Sequence, residues 1–167
     1  HTRAIRQLEK LYDEGITSIG EGLLTLYLDR YSADHADEVP DSIRSRLFIL
    51  LLDHADHAQI SAWLRKASIY GWEISLFTKK YARLLIAEGD LDEAFTLLQR
   101  MGMDAEVKDL LNEVAADYER RDEIDKAVAV LRFINDNELI ETESHRQRER
   151  ELVREAELSM ALLQTRN

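Results

Sequence analysis

The sequence contains no cysteine. Disulfides, thiolate nucleophiles and cysteine-based zinc sites are excluded together. One proline and six glycines in 167 residues leave few positions that interrupt a helix. No stretch approaches the roughly 20 apolar residues of a membrane-spanning helix. The densest apolar run, Phe48 to Leu52, sits inside an amphipathic pattern. Strand formers never alternate with polar residues for long, so no sheet is expected. Basic residues are the scarcer sign, with 22 Lys and Arg against 33 Asp and Glu, a net charge of −11. Phosphate contact needs a basic stripe, so neither nucleic acid nor an anionic membrane is expected as a partner. A Gly-rich phosphate loop, a Gly-x-Ser-x-Gly turn and a His-Glu-x-x-His helix are all missing, and the chain is not expected to be an enzyme or to carry a cofactor. It opens on His1 without a signal-peptide pattern and reads as part of a longer protein. The compartment stays open between cytoplasm and periplasm, with a lean to the cell envelope.

What is present is amphipathic and repeated. Hydrophobic residues make up 45% and charged residues 33%, enough for one domain with a core and a solvated surface. Apolar spacing and breakers predict helices over 2–13, 17–31, 40–54, 57–69, 72–87, 91–101, 104–120 and 124–134. Gly15 is suited to a left-handed helix end, Asp104 to an N-cap, and Pro40 to a first turn. Gly20 and Gly22 are small enough to let a neighbouring helix approach. Ser32 to Val39 reads as the longest loop. Asn135-Asp136-Asn137 reads as a turn before a terminal helix, from Glu138 or Thr142 to Gln164.

Ala82–Leu98 and Ala115–Leu131 are two versions of one pattern: a helix, a polar turn, then Leu or Ile-Asp-x-x-Ala opening a second helix. Ala94 and Ala127 mark an offset of 33 residues. A third copy, Leu50 to Leu64, precedes the first by 34. Two-helix units at this period resemble the tetratricopeptide repeat. Ala82 and Ala115 match its small first-helix position, Tyr118 the aromatic three residues on, and Ala94 and Ala127 the alanine opening the second helix. Leu85, Leu98 and Leu131 are expected to fill the space beside those alanines. The chain departs from the motif where Arg44, Thr78 and Leu111 replace a tryptophan, where Ile60 replaces an alanine, and in lacking the terminal proline.

The resemblance implies an all-α, right-handed superhelical solenoid of about four helix-turn-helix units, 2–31, 40–69, 72–102 and 104–135, with the helix over about 138–164 as a C-terminal cap. It also implies a non-catalytic scaffold that holds a protein or peptide partner in the groove lined by successive first helices. By family analogy the assembly would be one of bacterial secretion or exopolysaccharide export. Carried over residue by residue, the groove takes Leu76, Lys79, Arg83 and Ile86 from the third unit. The fourth supplies Asp109, Asn112, Glu119 and Arg120, and the second Ser42, Ser45, Ile49, Leu52 and Asp53. Lys79 and Arg83 lie one turn apart and could clamp a carboxylate or phosphate, although an ordinary solvated turn has the same pattern. His54 and His57, flanked by Asp53 and Asp56, resemble metal ligands only superficially. They fall on a turn with no further ligand nearby, so no metal is expected. Trp63 and Trp72 read as core, or as interface anchors if exposed. Along the last helix, Glu143/Arg146, Arg146/Glu149, Arg148/Glu151 and Arg154/Glu157 stand at i,i+3 spacing. Val153, Ala156, Met160 and Leu163 form an apolar stripe that would cap the array. The alternative is a structural spacer that self-associates into a homo-oligomer through this helix.

Overall fold

The computed structural model describes residues 2–165. Every regular element among them is helical: eight α-helices and two short 3-10 turns. The chain divides into two compact units, His1–Leu84 and Leu85–Asn167, with the division inside the fifth helix.

The first unit holds α1 (Thr2–Asp13), α2 (Gly20–Arg30), α3 (Asp41–His54), α4 (His57–Ile69) and α5 (Ser75–Glu88) as far as Leu84. Leu23 and Tyr27 of α2, Leu47, Leu50 and Leu51 of α3, and Ile60, Trp63 and Ala67 of α4 recur at three- and four-residue spacing and are all buried. That spacing puts them on one face of each helix, and burying such faces together is the main drive to fold. One polar cluster ties three of these helices. Arg46 of α3 donates to both carboxylate oxygens of Asp13, at 3.2 and 2.6 Å, and to Glu9 at 2.9 Å. The fully buried Tyr27 hydroxyl donates to the same Glu9 oxygen at 2.9 Å.

Gly20 meets its expectation and Gly22 does not. A Cβ on Gly20 would lie 2.9 Å from His54 Nε2 and 3.1 Å from Leu50 Cδ2, whereas one on Gly22 would meet nothing within 4 Å. The second helix begins at Gly20 rather than Thr17, because residues 17–19 wind as a 3-10 turn. The 32–39 loop likewise contains a 3-10 turn, Ala33–Glu38, which buries Ala36.

The second unit holds the end of α5, α6 (Leu91–Gln99), α7 (Ala105–Arg120) and α8 (Ile124–Thr165). Its core is Leu85, Leu91, Ala94 and Leu98 against Val107, Leu111, Val114 and Tyr118, closed by Ala127, Val130 and Ile134. Ala94 and Ala127 are both buried in it. The Asp104 side chain accepts from Val107 N at 2.8 Å and caps α7. Helices α1, α4, α5 and α7 end alike, through a left-handed residue: Gly15, Gly71, Gly89 and Asp122, at φ 96°, 70°, 84° and 60°. The two amides from that residue onward return to the last turn of the helix, as in Gly89 N to Ile86 O and Asp90 N to Leu85 O.

Four expectations fail in this half. α6 stops at Gln99, not Met101. Asn135-Asp136-Asn137 makes no turn, and α8 is one 42-residue helix. Asn137 donates to Phe133 O at 2.8 Å, one turn back, so its side chain satisfies the helix instead of breaking it. Leu131 does not fill the core. It is 38% exposed while Val130 beside it is fully buried, because no later helix covers that face. Nor does the last stretch cap anything. From residue 139 to residue 165 every side chain is exposed.

Candidate interaction groove

Helices α3 and α5 border a two-part hollow within the first unit. Asp41, Arg44 and Phe48 near the start of α3 share one part, about 240 Å³, with Trp72, Glu73 and Phe77 at the start of α5. Ile49, Leu52 and Asp53 further along α3 share the other, about 220 Å³, with Lys80 and Leu84 further along α5. Start meets start and end meets end, so the two helices run parallel. The two helices begin at Asp41 and Ser75, 34 residues apart, the same offset as between the first two copies of the sequence pattern.

The floor is aromatic at one end and aliphatic at the other. Phe48 stacks on Phe77 with centroids 5.3 Å apart and meets Trp72 edge-on at 6.2 Å. The Arg44 guanidinium lies 4.0 Å from the Trp72 ring centroid and reaches Asp41 at 2.7 Å. This is a cation held over an aromatic face. The Arg44 Nε is buried with no hydrogen-bond partner. Glu73 accepts from the Ser75 hydroxyl at 2.6 Å and the Ser75 amide at 3.2 Å, which starts α5 three residues later than expected. These bonds, and then the charge of Lys79, hold the Glu73 carboxyl below its ordinary range. At the far end Lys80 stands beside Asp53 on the rim.

Of the groove residues inferred from sequence, Ser45, Ile49, Leu52 and Asp53 line this hollow, and Ser42 stays on the exposed flank. On α5 the lining runs through Phe77, Lys80 and Leu84. Leu76, Lys79 and Arg83 stand one residue earlier, about 100° round the helix. Leu76 and Arg83 are exposed, and Lys79 and Ile86 are half-buried. Asp109, Asn112, Glu119 and Arg120 are exposed along α7 in the second unit. Sequence reasoning missed Arg44, Phe48, Trp72, Phe77, Lys80 and Leu84 as a set. The usable signal was the pair Trp72 and Phe77, five residues apart at the start of α5, in a chain only 7% aromatic. Trp63 is core, as expected, and Trp72 is half-buried on the groove. His54 is exposed, and the His57 ring packs edge-on against Tyr81 at 5.6 Å.

The second unit's hollow, about 250 Å³ between the 89–93 and 121–126 turns, is largely self-satisfied. Tyr118 and Lys126 both donate to Asp92, and Arg121 donates to Gly89 O at 2.9 Å. The Tyr118 bond and then Lys126 hold the Asp92 carboxyl down. Burial and then Asp92 push the Tyr118 phenol up. The Asp92 bond raises Lys126 in turn. Such a ring of mutual partners fixes the turn. Val153, Ala156, Met160 and Leu163 all stand exposed on α8. Compared with protein-family models, with curated proteins and with solved structures, the chain finds no match.

Proposed function

We propose that this chain is a helical-hairpin scaffold of the tetratricopeptide kind, and that it holds a short segment of a partner protein in the α3–α5 groove. The reading rests on one observation. Two helices one repeat apart in sequence run parallel, with an apolar, aromatic-ended trough between them. Parallel first helices are what a stack of like-handed hairpins produces. Continued through the remaining hairpins, that stacking gives a right-handed solenoid of about four units. The trough asks for a segment with bulky apolar side chains, because Ile49, Leu52 and Leu84 offer it nothing polar to bind. Lys80 and Asp53 on the rim set its direction through charge.

The test selects peptides against the wild-type chain from a displayed random library and measures them by Trp72 fluorescence. Trp63 is buried and serves as a silent background. Selected peptides should carry two or more large apolar residues. They should lose about tenfold or more in affinity on Leu52→Glu, a half-buried position whose change leaves the core intact. Peptides that bind Leu52→Glu as well as wild type would sink the assignment.

A further inference from the structure

The exposed half of α8 has an order of its own. Most of a helix's stability in a protein comes from packing its amphipathic face. This one holds Leu139, Val153, Met160 and Leu163 at 58–63% exposure. Together with Thr142, Arg146, Glu149 and Ala156 they step along the helix by alternating threes and fours, the spacing of a coiled-coil seam. The seam is apolar at its ends and charged at its centre. Among the described residues, Glu143, Arg146, Glu149 and Arg150 form no ion pair, so the i,i+3 pairs their spacing suggested stay open.

We propose that α8 pairs antiparallel with α8 of a second copy of this chain, about a two-fold axis between Gln147 and Arg148. In that register Arg146 faces the partner's Glu149, and Glu149 faces the partner's Arg146. Glu143 flanks the partner's Arg150. Leu139 meets the partner's Ala156, and Thr142 meets the partner's Val153. Met160 meets the partner's Asn135 and Leu163 lies beyond the overlap, and between Leu139 and Ala156 the complement this seam requires is apolar, then acidic, then basic, then apolar. The same helix, turned end for end, supplies it. Parallel pairing would set Arg146 on the partner's Arg146 and Glu149 on the partner's Glu149, burying like charges in the seam. The antiparallel overlap from Asn135 to Met160 is about 40 Å long at 1.5 Å per residue. A central Arg–Glu layer adds little net stability, but it penalises every other register.

Sedimentation equilibrium on the 167-residue chain tests the pairing, over concentrations up to about 0.5 mM. A reversible dimer is expected. Arg146→Glu or Glu149→Arg alone should each weaken it by about tenfold or more, and the double exchange Arg146→Glu/Glu149→Arg should restore it to near wild type. The absence of native cysteine permits an orientation test. Thr142→Cys and Val153→Cys chains, mildly oxidised, should cross-link when mixed, and neither should cross-link to itself. A monomer at every concentration, a dimer indifferent to Arg146→Glu, or a Thr142→Cys chain that links to itself would each overturn the proposal. All four positions are exposed, so a helical spectrum unchanged from wild type confirms that a variant is folded.

Discussion

Removing Arg46 asks whether proximity or burial decides the strength of an ion pair. Its guanidinium holds Asp13 with two hydrogen bonds, the shorter 2.6 Å, and Glu9 with one of 2.9 Å. By geometry the Asp13 pair is the better one. The Asp13 side chain is 56% exposed, however, and that of Glu9 only 20%. Water screens the first pair to about 0.2–1 kcal/mol. The second sits against a buried tyrosine, where a charge-assisted bond contributes about 1.5–3 kcal/mol and a stranded carboxylate is costly. Arg46→Met keeps most of the stem packing and should cost about 2–3 kcal/mol, or roughly 4–12 °C in melting temperature for a chain of this size. Urea unfolding of Arg46→Met, Glu9→Gln, Asp13→Asn and the two double variants separates the contributions. The Arg46–Glu9 coupling should exceed the Arg46–Asp13 coupling by about 1 kcal/mol or more. Equal couplings, or a larger one for Asp13, would refute the reasoning.

Three further predictions follow from individual residues. Asp122 occupies the left-handed position that Gly89 fills in the neighbouring repeat, and Asp122→Gly should stabilise the second unit by about 0.5–1 kcal/mol in urea titration. Gly22→Ala, facing open space within α2, should stabilise by a similar amount. Gly20→Ala should not, because its methyl group meets Leu50, and equal melting temperatures would contradict this. Burial first, and then the acidic neighbours Glu9 and Asp92, raise the phenols of Tyr27 and Tyr118. The folded state therefore favours their protonated forms. That stability is fully present below the ordinary tyrosine value near 10 and is lost as pH rises beyond it. Ultraviolet titration should show these two of the six tyrosines ionising only as the chain unfolds.

The helices are largely legible in the sequence. α1 and α4 lie within the expected bounds, because Gly15, Asp56 and Gly71 act through local backbone chemistry that sequence displays directly. Side-chain competition at a helix end was less legible. Glu73 and Ser75 together delayed α5, and Asn137 turned inward to its own helix instead of breaking it. The groove was half legible. A repeat register places a residue to within one position, and one position is 100° of helix. That was enough to move the α5 lining from Lys79 and Arg83 to Lys80 and Leu84.

The sequence by itself therefore determined the helical class, the turns and the two-helix period, because each depends on residues within a few positions of one another. Only the tertiary structure decided which face of α5 meets α3, that the Arg44 guanidinium lies over the Trp72 ring, and that Leu131 is exposed where Leu98 is buried. It also left the 139–165 part of α8 exposed where the sequence suggested a cap. An amphipathic stripe records that a helix has something to bury, and only the packing of distant segments settles whether its own chain buries it.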